Sequence, residues 1–170
     1  MAARHTVIES ALGELTLVAD GNHLTGVYFR RHWHPPTAEV LGQYVAPVGN
    51  ELFSDTCGQL HEYLAGLRTQ FDLPIAFVGD PRQLSVWNLL GDIGYGQTRT
   101  YGELAALLAD GTTAYEVGQA VGRNPLSIVV PCHRVVGKDG ALTGYAGGLK
   151  RKRFLLELEE SAPAVAGRLF

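Results

Sequence analysis

The sequence predicts an α+β protein in two lobes. A sheet-and-helix lobe spans residues 1–79, a mostly helical lobe spans 80–160, and a tail covers 161–170. Three observations carry this reading. Residues 5–29 alternate apolar and polar side chains at the strand period of two. From Asp80 onward, helix starts follow one another. Hydrophobic residues make up 46% of the 170 residues and charged ones 18%, which is enough apolar surface for a packed core and excludes a disordered chain.

The first elements are three short runs: Thr6-Val7-Ile8-Glu9, Leu15-Thr16-Leu17-Val18 and Leu24 to Phe29. Turn residues at 11–14 and 20–23 separate them, as in a three-stranded antiparallel meander. His32-Trp33-His34-Pro35-Pro36 reads as a surface loop, because the two prolines outweigh the metal-like spacing of the histidines. Asn50 caps a predicted helix running to about Leu67, with Phe53, Leu60, Tyr63, Leu64 and Leu67 on one face and Cys57 as a packing residue. Phe71 to Val78 resembles one more strand.

The second lobe opens with Asp80-Pro81-Arg82-Gln83, which has a cap, a first-turn proline and the reciprocal glutamine of a capping box. Leu84, Trp87, Leu90 and Ile93 follow at helical spacing. Thr100-Tyr101-Gly102-Glu103 and Thr113-Ala114-Tyr115-Glu116 are two further capping boxes, separated by the breaker Asp110-Gly111. Two short helices so joined have the form of a helix-turn-helix, a weak signal on its own. Ser127-Ile128-Val129-Val130 reads as a short buried strand that Pro131 ends. A turn at Gly137–Gly140, a glycine-rich loop at Gly144–Gly148 and a last helix from Leu149 to Glu160 complete the lobe. The quartet Lys150-Arg151-Lys152-Arg153 reads as a solvated basic face.

Chemistry concentrates at Pro131-Cys132-His133-Arg134-Val135. A thiol beside an imidazole and a cation can be driven toward the thiolate, the form that attacks electrophiles. The alternative is that Cys132 is a small buried apolar residue, as lone cysteines often are. Cys57 and Cys132 have no framework spacing, so reduced thiols in a cytoplasm are expected. There is no C-x-x-C and no H-E-x-x-H, hence no local support for a metal site. No apolar run is long enough to cross a membrane, and the first residues lack a signal-like core. The formal net charge is −3, but it is uneven. Residues 1–80 hold four Lys/Arg against nine Asp/Glu, while residues 81–160 hold nine against eight. The second half can therefore present a local basic face to phosphates.

Taken together, these residues resemble the O6-alkylguanine-DNA alkyltransferases, the methylated-DNA–protein-cysteine methyltransferases. The likeness rests on Val86-Trp87, Tyr95-Gly96, Thr100 to Glu103, Val117-Gly118, Asn124-Pro125, Pro131 to Val135, Gly144-Tyr145, Gly147-Gly148 and Leu155 to Glu159. It covers most of residues 81–160, which become the DNA-binding and alkyltransferase domain. The first lobe matches only in length and layout, as a ribonuclease-H-like sheet with helix.

The resemblance implies an irreversible, cofactor-free transfer of an alkyl group from guanine O6, and also from thymine O4, to Cys132. In that scheme Glu159, His133 and a bridging water deprotonate Cys132, and Tyr101 donates to the base as O6 departs. Because adjacent side chains on a strand point apart, His133 would act on Cys132 through water or across a turn. Asn124 braces the cysteine turn, and Val135 with Tyr145, Ala146 and Gly147 walls the base pocket. Thr100, Gly118, Arg123 and Arg134 complete the substrate- and DNA-facing set. The implied partner is double-stranded DNA carrying the lesion, bound by a monomer, with no membrane association. The target base lies inside a duplex and must be flipped out, at a cost of a few kcal/mol.

One departure from the pattern stands out. Where the family inserts an arginine, this chain has Tyr115, followed by Glu116, which is expected to face phosphate. Arg82 and Gly94 also depart, at positions that usually hold an aromatic residue and a proline. The Tyr115 change keeps a second reading open: a protein of the same fold that serves another electrophile or binds lesions in a regulatory role.

Overall fold

The computed structural model describes residues 2–169, with side chains described up to Glu160. The chain divides into two units. One runs to Val78 and includes Pro125–Val129; the other runs from Gly79 to Asn124 and resumes at Val130.

In the first unit, β1 (Ala3–Ile8), β2 (Leu15–Asp20) and β3 (His23–Phe29) form the antiparallel meander. A strand not anticipated from sequence, β4 (Gln43–Tyr44), adds to β1 in parallel, giving the order β3-β2-β1-β4. It follows α1 (Ala38–Leu41), a single turn capped by Thr37. The inward face of the sheet carries Leu15, Leu17, Leu24 and Val27, all fully buried. Helix α2 (Glu51–Leu64) contributes Phe53, Leu60 and Tyr63 to this unit's core, each worth about 1.5–3 kcal/mol in burial. Asn50 Oδ1 accepts from the Phe53 amide at 3.1 Å, as its position predicts.

Two expectations change here. Helix α2 stops at Leu64 rather than near Leu67, because Gly66 takes φ +79° and the Leu67 amide turns back to the Glu62 carbonyl at 2.8 Å. The strand expected at Phe71–Val78 shrinks to one parallel bridge, Ile75 with Leu24. Pro74 can accept from Leu24 but has no N–H to extend the ladder.

Residues 127–130 are not a strand either. Leu126 makes a single bridge to Val27, and Ile128 then takes φ +72°, turning the chain. A short buried β-branched run has the same pattern whether it extends or turns, which is why the sequence misleads.

In the second unit, α3 (Pro81–Leu90), α4 (Tyr101–Leu108) and α5 (Ala114–Gly122) each begin with a complete capping box, at Asp80/Gln83, Thr100/Glu103 and Thr113/Glu116. Helix α3 ends one turn before Ile93. Trp87 Nε1 donates to the Ala120 carbonyl at 2.8 Å, fixing α3 on α5 over a core of Val86, Leu90, Leu104, Val117 and Leu155. Strands β5 (Arg99–Thr100) and β6 (Val135–Val136) pair in parallel. Helix α6 (Leu149–Leu169) stays helical past Glu160, through most of the stretch expected as a tail. Residue 170 lies outside the described residues.

Candidate active site

Every side chain expected around the thiol belongs to the second unit. Cys132 opens a 3-10 turn, Cys132–Arg134, rather than extending a strand. Its amide bonds the Val130 carbonyl at 2.8 Å, and Asn124 Nδ2 donates to that same carbonyl at 3.1 Å, bracing the turn. The chain then enters β6, whose register sets Val135 beside Arg99 and Val136 beside Thr100. Thr100 is also the N-cap of α4, so this short sheet ties the start of Tyr101's helix to the cysteine turn.

Cys132 is 3% exposed. Burial raises its thiol pKa, and this cause dominates. Hydrogen bonding from Asn124, the charge of Lys152 and hydrogen bonding from Tyr145 pull the other way. The resting group is a neutral thiol surrounded by groups that favour its anion.

His133 is fully buried, and burial pushes its pKa below the usual histidine value despite the neighbouring Glu159. The imidazole is therefore neutral at physiological pH and can accept a proton. Its Nε2 lies 2.8 Å from Glu159 Oε2. Donation from Nε2–H to that carboxylate assigns the basic lone pair to Nδ1.

Arg134, expected on the DNA side, turns inward. Its Nε and Nη2 fork onto the two oxygens of Glu159 at 2.8 and 2.9 Å, and Nη1 donates to the Ile93 carbonyl at 2.6 Å. The guanidinium also lies 5.8 Å from the centre of the Tyr95 ring. The Gly96 amide adds a fourth donor to Glu159, at 3.3 Å. Glu159 is thus a buried carboxylate fixed from several sides, with one oxygen presented to His133.

Lys152 corrects the solvated-face expectation. It is 1% exposed, and its Nζ donates to the carbonyls of Val135 (2.6 Å) and Thr143 (3.2 Å). Burial lowers its pKa to about 8. A sequence signal for it exists: Lys152, Leu155 and Glu159 fall at i, i+3 and i+7, on one helical stripe, and all three are buried. Tyr101 Oη is 2.8 Å from Thr143 Oγ1. Gly118, expected on the DNA side, lies against the Tyr101 ring, where an added Cβ would be 3.6 Å from it. Tyr145, Ala146 and Gly147 are buried in the glycine-rich loop.

Among the described residues, no group of three or more His, Cys, Asp or Glu side chains could hold a metal ion. No described helix is long and apolar enough to cross a membrane.

Residues 3–77 match the model of the 6-O-methylguanine DNA methyltransferase ribonuclease-like domain, and residues 81–161 match that of the DNA-binding domain. The methylated-DNA–protein-cysteine methyltransferase of Mycobacterium tuberculosis is 42% identical over 94% of both chains. That of Methanosarcina acetivorans is 43% identical over 92% of this chain and 98% of its own. The chain belongs to the 6-O-methylguanine DNA methyltransferase family. Among solved structures, M. tuberculosis OGT in complex with DNA superposes with a TM-score of 0.83 at 41% identity, covering 94% of each chain.

Helix α5 carries two of the departures from the family pattern, Tyr115 and Glu116. Tyr115, in its first turn, is 75% exposed, with its hydroxyl 3.4 Å from Gln119 Nε2. Glu116 does not stand as a bare charge toward phosphate. Its carboxylate closes the capping box with Thr113 and also pairs with Arg82 from α3. The hydrogen bonds from Thr113 hold its pKa below the usual range, with a smaller contribution from Arg82. Two departures from the family pattern, Arg82 and Glu116, are thus partners of each other. Arg123 is exposed at the C-cap of α5.

Proposed function

We propose that this chain repairs DNA in a single irreversible turnover, moving a methyl group from guanine O6 to the sulfur of Cys132. The observation that carries the proposal is the buried Cys132 beside the His133–Glu159 pair, 2.8 Å between Nε2 and Oε2, in a chain of this family. The thiol proton passes through a water to His133 Nδ1, and Glu159 stabilises the imidazolium that results. The thiolate attacks the methyl carbon in line. The S–C bond forms, the C–O6 bond breaks, and the electron pair moves onto the guanine. Tyr101 supplies a proton to the purine and regains one from solvent as the imidazolium releases its own, leaving guanine and S-methylcysteine.

The positive Lys152 favours the thiolate and, with Asn124, holds the backbone carbonyls around it. Val135 and the Tyr145–Gly147 loop wall the base, Gly118 leaves room for the Tyr101 ring, and Thr100 and Arg123 lie toward the duplex. Arg134 acts through Glu159 rather than on DNA. The partner is double-stranded DNA carrying O6-alkylguanine, with O4-alkylthymine as a second lesion. The protein acts as a monomer, without a cofactor, in a reducing cytoplasm. A role on another electrophile or as a regulatory lesion binder is not favoured, since its relatives are named as DNA–cysteine methyltransferases and one is solved on DNA.

Incubation with a duplex carrying one O6-methylguanine tests this. The protein should gain the mass of a single methyl group with one-to-one loss of the lesion. An unchanged protein mass, or turnover beyond one lesion per chain, would contradict it.

A further inference from the structure

We infer that Thr143 is a positioning residue that completes the proton-donating end of the site, holding the Tyr101 hydroxyl so that its proton is aimed at the base. The inference rests on the methyl-transfer reading above.

Tyr101 Oη and Thr143 Oγ1 stand 2.8 Å apart, and either can donate. Thr143 lies in the loop after the Gly137–Gly140 turn, yet it is held from two directions. Its carbonyl accepts from the buried ammonium of Lys152 at 3.2 Å. Its methyl group packs on Gly137 so closely that a Cβ there would come within 2.9 Å of Cγ2. A β-branched side chain has a stiff χ1, so a fixed backbone and a fixed methyl also fix the hydroxyl. Gly118 lies beside the Tyr101 ring, where an added Cβ would sit 3.6 Å from it.

The shared hydrogen bond can point either way. When the purine occupies the pocket, Tyr101 O–H turns to the base and Tyr101 Oη becomes the acceptor. Thr143 O–H then donates to it, and no heavy atom needs to move. As the C–O6 bond breaks and the Tyr101 proton passes to the purine, negative charge grows on Oη. Thr143 keeps its own proton throughout. A hydrogen bond to a charged acceptor is stronger than one to a neutral acceptor. The contact therefore strengthens in the transition state, which is where it can raise the rate.

Four variants test the assignment: Thr143→Val, Thr143→Ser, Tyr101→Phe, and Thr143→Val with Tyr101→Phe. Single-turnover methyl transfer is measured from an O6-methylguanine duplex, and duplex affinity is measured separately by anisotropy. Thr143→Val keeps the methyl contact and the carbonyl bond to Lys152. It should slow transfer about 5- to 10-fold, the scale of one hydrogen bond that strengthens as charge develops, without weakening duplex binding. Thr143→Ser should recover to within about twofold, because it restores the hydroxyl. In the Tyr101→Phe background, Thr143→Val should add no further loss. An unaltered rate in Thr143→Val, or the same loss with and without the Tyr101 hydroxyl, would overturn the role of Thr143 while leaving the methyl-transfer reading intact. Absence of transfer by the unaltered protein would overturn that reading and this inference with it.

Discussion

Replacing Glu159 by glutamine keeps the shape of the side chain and removes its charge. The Arg134 guanidinium, with a side chain 9% exposed, then loses the carboxylate that receives Nε and Nη2 at 2.8 and 2.9 Å. Its remaining bond to the Ile93 carbonyl does not neutralise it. Breaking a buried pair from one side costs about 3–5 kcal/mol, a large share of the 5–15 kcal/mol that holds a typical domain together. At this chain length that corresponds to a Tm lower by roughly 6–20 °C. Glu159→Gln alone therefore mixes a stability loss with a chemical one. Adding Arg134→Met removes the stranded charge and should return about 2 kcal/mol or more, less the cost of the unpaired Ile93 carbonyl. Methyl transfer should stay about 100-fold slow in the double variant, because His133 still lacks its carboxylate. Thermal unfolding with single-turnover transfer in the same samples separates the two effects. A single variant within about 1 kcal/mol of the parent would refute the reasoning, as would a double variant no more stable than the single one or one with restored transfer.

Two further outcomes follow from groups that sequence reading valued differently. Lys152 titrates near 8 when folded and near 10.5 when free, so between those values the unfolded chain binds more protons and stability rises with pH, by roughly 3 kcal/mol in all. Lys152→Met has nothing to titrate there, so urea unfolding should show the parent gaining on the variant from pH 8 to 10.5; parallel curves would contradict the burial of this charge. Tyr115→Ala should slow repair of duplex O6-methylguanine, because stacking of roughly 1–3 kcal/mol is lost from the flipped state, while reaction with free O6-benzylguanine stays nearly unchanged. Equal slowing on both substrates would mean that Tyr115 supports the pocket and not the duplex.

What could be read from the sequence was mostly local. The three capping boxes fix helix starts through contacts spanning three residues, and all three formed. The meander was legible because its alternation reports a half-buried sheet. The two lost strands failed because Pro74 has no N–H to extend one ladder and Ile128 takes a left-handed φ in the other. In the site, Cys132 and His133 came from a motif with a chemical meaning, and Glu159 came from the family resemblance. Arg134 was read in that motif but toward DNA, and Lys152 on a solvated face, since charged side chains default to solvent and only the fold reveals a buried partner. Thr143 carried no signal at all, because its importance lies in a contact with a side chain 42 residues away. Glu116, read from sequence in its own capping box but also as facing phosphate, is taken up by Arg82 as well as by that cap.

In the proposed reaction the sulfur of Cys132, and not that of Cys57, receives the alkyl group. Reaction of the parent, Cys57→Ala and Cys132→Ala with duplex O6-methylguanine, followed by peptide mass mapping, tests this directly. The parent and Cys57→Ala should each carry one methyl group on the peptide containing Cys132, and Cys132→Ala should carry none and leave the lesion in the DNA. A methyl group mapped to Cys57, or lesion loss in Cys132→Ala, would contradict the account.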